Sequence, residues 1–329
     1  MQNSIFYTRF SSLLLLTFFA VASCKKQVYT VPTVSDKLQN KAIKRTLGPN
    51  IVGSTIEFAY AMAIVPTKGK LVACVAEASI AGAAGTYMEN RSFYTNTSGQ
   101  DVGVTVGTPS VTSGTTTTVT YNRDTSAATL RYYYVIPEAA RGKTVTIKFT
   151  ATSSDGESIS TVMGPYTIAK MDITLNMKVS NGNAMYISIA DSTVYTAAAA
   201  AAIPNKIDLV YLYRNISTSI FNHALVSPAA DTQYLPGVTL PAGATNSTRL
   251  LKVFNLQDFN LAHEQYGIYI DDVDFQKLDL TGEPNYAINL KAEAGVWLQT
   301  ADGKYRAYIF INSVNANGSA VISMKRYAL

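Results

Sequence analysis

Short segments in which apolar and polar residues alternate recur through the first half of the chain. Residues 115–121, 130–136 and 144–150 are rich in Thr, Val, Tyr and Ile. Alternation with a period of two, in residue types of high strand propensity, predicts half-buried β-strands. Turn residues separate these segments, and Asp155-Gly156 predicts a tight hairpin after the third.

The second half of the chain repeats this style. Strand candidates lie at residues 207–213, 266–270, 287–292, 295–299 and 305–311. Ala301-Asp302-Gly303-Lys304 predicts a hairpin turn between the last two. Six alanines, 197–202, are followed by Pro204 and fit either a short helix or a low-complexity loop.

These elements predict an all-β protein of two antiparallel β-sandwich domains. A chain of 329 residues exceeds the usual size of a single core. The strand spacing predicts an immunoglobulin-like sandwich over residues 48–170. It predicts a second domain, sandwich or jelly-roll-like, over residues 171–329.

The amino terminus has the pattern of an export signal over residues 1–23. Arg9 precedes a compact apolar core that is too short to span a bilayer. Val21-Ala22-Ser23-Cys24 follows and resembles the lipobox of bacterial lipoproteins. The resemblance implies a diacylglyceryl thioether on Cys24, cleavage before it, a further acyl chain such as palmitate on the new amino terminus, and anchoring in the bilayer. The alternative is an ordinary secretory signal that happens to precede a cysteine.

Residues 24–47 are expected to form a basic tether near anionic headgroups, since Lys25-Lys26 and further basic residues follow the anchor. We expect an outer-membrane location. Cell-surface lipoproteins of Bacteroidetes often carry acidic residues after the cysteine, so the periplasmic and cell-surface orientations both stay open. Cys74 lies in an apolar strand-like run, which predicts a buried, inert thiol.

The candidate chemistry for catalysis is sparse, and we predict no enzyme. Only two histidines occur, His223 and His263, and no Gly-x-Ser-x-Gly elbow accompanies them. The net charge of +5 is modest, and basic and aromatic residues are not interleaved over a folded face. We therefore expect no nucleic-acid partner.

One acidic cluster is a candidate metal site. In an extended chain Asp272 and Asp274 would share one face, where two carboxylates could bind calcium. The alternative is a solvated loop or strand end. No other cofactor is expected. A glycoside hydrolase that uses two of these carboxylates is a distant alternative.

Aromatic side chains are the better candidates for ligand binding, because sugar rings stack on flat π-faces. Trp297, Tyr305 and Tyr133 are the candidates. Tyr133 lies in a Tyr132-Tyr133-Tyr134 run, whose outer rings should face one way and whose middle ring should face the other. Core packing is the alternative role for Trp297.

Four segments resemble a family of uncharacterised envelope lipoproteins of gut and oral Bacteroidetes: residues 57–63, 128–134, 163–171 and 270–278. The resemblance covers the chain from about residue 50 to its end. It implies two β-domains and a frequent association with glycan-uptake systems. It assigns no functional residue.

The leading hypothesis is a membrane-anchored, non-enzymatic binding or accessory module whose ligand is a glycan. The main alternative is a structural or adhesive subunit that pairs with another envelope protein through exposed strands or Tyr-rich patches.

Overall fold

The computed structural model describes residues 36–216, 219–254 and 270–329. Strands make up 52% of the described residues and helices 7%. The prediction of an all-β protein with two antiparallel β-sandwiches is confirmed. Cys24, His263 and all but the last residue of the strand candidate at 266–270 lie outside the described residues.

The first sandwich has a four-stranded sheet, β1-β2-β9-β4, and a five-stranded sheet, β11-β10-β3-β8-β7, while β5 and β6 form a separate hairpin. Its strands are β1 (Gln39–Lys44), β2 (Thr55–Ala63), β3 (Leu71–Ala78), β4 (Tyr87–Met88), β5 (Arg91–Thr95), β6 (Asp101–Thr105), β7 (Val111–Ser113), β8 (Thr116–Thr120), β9 (Ala127–Val135), β10 (Thr144–Ser153) and β11 (Ser158–Thr167).

Aromatic rings join the two sheets of the first sandwich. Phe149 on β10 lies 4.9 Å from the Tyr60 ring and 5.7 Å from the Tyr132 ring, both of which come from the opposite sheet. Tyr132 and Tyr134 are buried, whereas Tyr133 points outward and is half-buried. The predicted alternation of the three tyrosines is therefore confirmed.

The first sandwich begins before residue 48, so the predicted tether of residues 24–47 is too long. β1 pairs along its whole length with β2, from Gln39 opposite Ala63 to Lys44 opposite Phe58. Leu38 and Ala42 are buried in the core. The sequence did not predict β1 because its lysines were assigned to a basic tether. Charged residues are nevertheless common at the solvent-facing positions of an edge strand.

The second sandwich has two five-stranded sheets, β12-β21-β20-β19-β17 and β14-β13-β15-β16-β18. Its strands are β12 (Asp172–Ser180), β13 (Ala184–Ser188), β14 (Thr193–Thr196), β15 (Leu209–Ile216), β16 (Ser219–Val226), β17 (Arg249–Phe254), β18 (Tyr286–Leu290), β19 (Ala294–Gln299), β20 (Tyr305–Asn315) and β21 (Ser319–Ala328).

Helices are short. α1 (Ala197–Ala200) falls within the alanine run, where the Thr196 hydroxyl accepts a hydrogen bond from Ala199 N. α2 (Asp272–Lys277) precedes β18. Single 3₁₀ turns occupy Glu138–Ala140, Pro204–Lys206 and Thr232–Tyr234. Within the described residues, no helix has the length and apolar character needed to cross a membrane.

Strand β19 and residues 307–311 of β20 are buried on both faces. Val296 and Leu298 pack into the core between the two sheets of the second sandwich. The residue between them, Trp297, faces the other way, into a separate cluster with Tyr308 and Phe275 of α2. Ile51 and Ala169 come from the chain before β12, and the other members are Met171, Ile270, Leu280, Phe310 and Tyr327. We call it the bridging cluster, because it joins residues from both halves of the chain.

Phe275 holds α2 against the bridging cluster. Its ring is fully buried, 5.4 Å from the Trp297 ring and 5.7 Å from the Tyr327 ring. We expect Phe275→Ala to lower the free energy of unfolding by about 3 to 5 kcal/mol, since it removes a buried ring and leaves a cavity. Denaturant unfolding measures this change.

Val273 of the same helix is the matched control, because 48% of it is exposed. Val273→Ala should change the free energy of unfolding by less than about 0.5 kcal/mol. Equal effects of the two substitutions would contradict the role given to the bridging cluster.

Candidate functional site

A cavity of about 290 Å³ lies at the end of the second sandwich where several loops meet. We call it the Asp208 cavity. The segments that form it follow β13, precede β15, precede β17 and join β19 to β20. Its lining residues are Ala190, Asn205, Lys206, Asp208, Asn246, Thr300, Asp302, Lys304 and Tyr305. Loops at one end of a rigid β-sandwich commonly carry binding residues.

Asp208 is the buried polar group of this cavity. Its side chain is 5% exposed, and its Oδ2 accepts a hydrogen bond of 2.8 Å from Ile189 N. Burial raises the pKa of Asp208 to about 7, and the nearby Asp302 and Asp191 carboxylates act in the same direction. The hydrogen bond from Ile189 N opposes this shift. A carboxyl that titrates near neutral pH in a cavity is a candidate functional group.

Arg326 positions the backbone that binds Asp208. It lies opposite Asp172 in the β12–β21 register and forms an ion pair with it. Its Nη1 also donates hydrogen bonds to Ile189 O and Ala190 O. These hydrogen bonds fix the turn that supplies Ile189 N.

Charged residues surround the mouth of the cavity. Lys206 Nζ lies 3.0 Å from Asp191 Oδ1, and Lys304 Nζ lies 3.2 Å from Asp302 Oδ2. Asp302 Oδ1 accepts from Thr300 Oγ1 at 2.7 Å, and this bond lowers the pKa of Asp302. The cavity therefore holds two carboxyls, one buried and one exposed, whose pKa values move in opposite directions.

Tyr305, one of the predicted ligand-binding residues, lines this cavity. It is half-buried at the start of β20, and the Arg326 guanidinium carbon lies 5.4 Å from its ring centroid. The structure brings Tyr305 together with Asp208, Asn246 and the two lysines. The other predicted residues lie elsewhere.

Trp297 is not available as a ligand platform, so that candidate is wrong. It is only 9% exposed, and its ring lies 4.8 Å from that of Tyr308, its cross-strand partner. The covering helix α2 accounts for the burial, which the strand pattern alone did not predict.

Tyr133 is on the outer face of the first sandwich. Its ring stacks on that of Tyr87, with centroids 4.8 Å apart and planes inclined by 14°. Tyr87 is 43% exposed. Beside the pair, Arg131 forms an ion pair with Asp101 and lies under the Phe93 ring at 4.1 Å. This surface is aromatic and charged, and Tyr133 does not line the adjacent cavity formed by Tyr87, Glu89 and Arg91.

The extended geometry proposed for a calcium site at Asp272 and Asp274 is wrong. These residues form the first turn of α2, and Asp274 Oδ2 accepts from Asp271 N at 2.9 Å in a capping box. Both Asp272 oxygens accept from the backbone, one from Lys170 N at 2.6 Å and the other from Met171 N at 3.0 Å. Both carboxylates are thus engaged by backbone N–H groups. Within the described residues, no group of three or more His, Cys, Asp or Glu side chains could hold a metal ion.

Cys74 and His223 are buried in the cores. Burial raises the pKa of the Cys74 thiol, whose Sγ lies 3.4 Å from Met88 Sδ. The prediction that Cys74 is buried is confirmed. His223 Nδ1 is 2.6 Å from Tyr211 Oη, and burial lowers the pKa of the imidazole.

Sequence reasoning missed Asp208. The available signal was one carboxylate between Ile207 and Leu209 in an otherwise apolar strand. An ionisable residue at a position that the pattern assigns to the core is a candidate for a perturbed pKa.

Comparisons with known proteins divide the chain into two matched regions. The family model described as Domain of unknown function (DUF4466) matches residues 35–168. The one described as Domain of unknown function (DUF8576) matches residues 169–329. No functionally curated protein matches the chain.

Among solved structures, a DUF4466 family protein from Parabacteroides merdae is 44% identical with a TM-score of 0.81, and the match covers 89% of this chain and 99% of that one. The major pilin subunit BcpA of Bacillus cereus is 8% identical, with coverage of 86% and 62%, but its TM-score of 0.28 carries no inference. The chain belongs to the DUF4466 family and also carries a DUF8576 domain.

Proposed function

We propose that the chain is a non-enzymatic envelope lipoprotein that is anchored at the outer membrane by lipid on Cys24 and binds a glycan in the Asp208 cavity. One observation carries the binding proposal. A buried carboxyl, amide groups, lysines and an aromatic ring converge on a single concave site.

This combination suits a sugar. Sugar hydroxyls need donors and acceptors held in fixed directions, and sugar C–H faces pack on aromatic rings. The Asp208 carboxyl and the Asn246 Oδ1 supply such polar groups, and Tyr305 supplies a ring edge or face. Asn246 is held in place because its Nδ2 donates to Asn205 O and Ile207 O, each at 2.9 Å. At about 290 Å³ the cavity lies near the lower limit of ligand pockets, so it would take one sugar residue. Its exposed mouth leaves room for the rest of an oligosaccharide.

The protonation of Asp208 gives the site a second property. With a pKa of about 7, the carboxyl can donate a hydrogen bond to a ligand hydroxyl when protonated, and it accepts when ionised. Asn preserves the size of the side chain together with an acceptor and a donor, so Asp208→Asn mimics the protonated form.

Glycoside hydrolysis is the second candidate function. It is favoured by Asp208 and Asp302, which line the same cavity with pKa values displaced in opposite directions. Glycoside hydrolysis requires a protonated carboxylic acid with a raised pKa and a second carboxylate that stays ionised. Binding without turnover remains the leading proposal, because Thr300 Oγ1, Lys304 N and Lys304 Nζ already engage Asp302.

A glycan array probed with the full chain in detergent micelles tests the binding proposal. We expect the protein to retain a subset of glycans and Tyr305→Ala to weaken that binding by tenfold or more, because it removes the stacking ring. Tyr133→Ala is the matched control, since it removes an equal ring from the other sandwich. Titration calorimetry with the retained glycan gives the affinities.

Failure to retain any glycan, with recovery of a stable protein partner, would replace the proposal by the structural-subunit alternative. Equal losses in the two Tyr variants would argue against the cavity. Release of reducing ends by the wild type but not by Asp208→Asn would establish hydrolysis instead.

Stability should depend on pH through Asp208. The folded protein binds the Asp208 proton with a pKa of about 7, whereas the unfolded chain releases it near its ordinary value of 3.8. Between these values the folded state holds the extra proton, so stability falls as pH rises from about 4 to 7. The loss is on the order of 4 kcal/mol, from about 1.4 kcal/mol per pKa unit.

Denaturant unfolding at pH 5 and pH 8 checks this sign. Asp208→Asn should be more stable than the wild type at both pH values, by a clearly larger margin at pH 8 than at pH 5. Asp302→Asn is the control and should show no such change over this range, because the pKa of Asp302 is lowered. A constant difference between Asp208→Asn and the wild type at both pH values would refute the assignment.

The anchor proposal predicts that cells fed an alkyne analogue of palmitate label the wild-type protein and that Cys24→Ala abolishes the labelling. The variant should also leave the membrane fraction, because acyl chains supply the attachment. Cys74→Ala is the control, and it should remain labelled. Labelled Cys24→Ala protein would overturn the lipidation proposal.

A further inference from the structure

A second cavity, of about 470 Å³, lies beside the Asp208 cavity. We call it the arginine cavity. Its walls include Arg249, Asp279, Gln299 and Arg306. Thr300 borders both cavities, so the β19–β20 turn stands between them.

The register of three strands aligns the polar side chains of the arginine cavity. Arg249 on β17 lies opposite Gln299 on β19, which in turn lies opposite Arg306 on β20. Side chains at directly opposed positions share one face of a sheet. Arg249, Gln299 and Arg306 therefore lie on the same face of the sheet as Trp297 and Tyr308 of the bridging cluster, next to that cluster.

Backbone carbonyls hold both guanidinium groups while leaving further donors. Arg249 Nη1 donates to Leu280 O at 3.1 Å. Arg306 Nη1 donates to Phe275 O and Gln276 O at the end of α2, and its Nε donates to Gln299 Oε1 at 3.1 Å. A guanidinium has five N–H donors, so each arginine keeps donors for a ligand.

Neither arginine forms an ion pair within 4 Å in the part of the chain that the structure describes. Asp279 is the one carboxylate in the lining. It accepts a hydrogen bond of 2.9 Å from Thr281 N, which lowers its pKa, and the two arginines add to that shift. Two guanidiniums against one carboxylate leave the arginine cavity with a net positive charge.

We propose that the glycan taken by the Asp208 cavity carries an anionic substituent, a carboxylate or a sulfate, which binds in the arginine cavity. This proposal rests on the proposed function. Planar guanidinium groups recognise such oxyanions through paired hydrogen bonds. Adjacent cavities that share Thr300 fit adjacent parts of one ligand.

The test is an array of matched glycan pairs that differ only in the acidic group: uronates with their methyl esters, and sulfated with unsulfated oligosaccharides. The full chain in detergent micelles should retain the acidic member of each bound pair at least tenfold more tightly. Its binding should weaken as salt is raised, since added ions screen the charge.

Arg249→Gln should remove most of the preference for the acidic member, whereas Arg249→Lys should keep part of it. Arg123→Gln is the matched control, because it removes the same charge from an exposed turn of the first sandwich. Arg306→Gln should act like Arg249→Gln. Its thermal unfolding is measured in parallel, because Arg306 also supports α2.

The outcomes separate the two proposals. Equal retention of acidic and neutral members, or an unchanged preference in Arg249→Gln, would overturn the anionic ligand while leaving glycan binding in place. Retention of no glycan at all would overturn both.

Discussion

In the sheet β12-β21-β20-β19-β17, the central residues of β19, β20 and β21 are buried on both faces, and the rest of the structure depends on this constraint. One face closes the core of the second sandwich, and the other packs against α2 and residues from the first half of the chain. Burial of apolar area of this extent is the dominant favourable contribution to folding. It also removes the middle of the sheet from contact with ligands.

Polar chemistry is consequently displaced to the ends of these strands. Tyr305 and Arg306 are the first residues of β20, and Gln299 is the last of β19. The two cavities lie on either side of the turn that joins these strands. A rigid, doubly covered sheet is a suitable support for such a site, because its strand ends hold side chains in fixed positions.

Charged side chains to which the sequence assigned no structural role hold the connection between the sandwiches. Asp272 accepts from Lys170 N and Met171 N, and Arg141 Nη1 donates to Lys170 O at 2.8 Å. The backbone between β11 and β12 is thus held from two sides. Carboxylates that suggest a metal site from their spacing here accept hydrogen bonds from backbone N–H groups of this connection.

The sequence by itself determined strands such as β8, β9, β10 and β15, the hairpin turns at Asp155-Gly156 and Asp302-Gly303, the inward and outward sides of 132–134 and the burial of Cys74. These follow from residue periodicity and turn chemistry over a few positions. Only the tertiary structure decided the burial of Trp297, the capping role of Asp274 and the meeting of Asp208 with Tyr305. Each depends on residues far apart in the chain, such as Phe275 against Trp297 or Ile189 against Asp208. Local periodicity states which side of a strand a residue occupies, but the elements that later cover that side determine whether it reaches solvent, a core or a ligand.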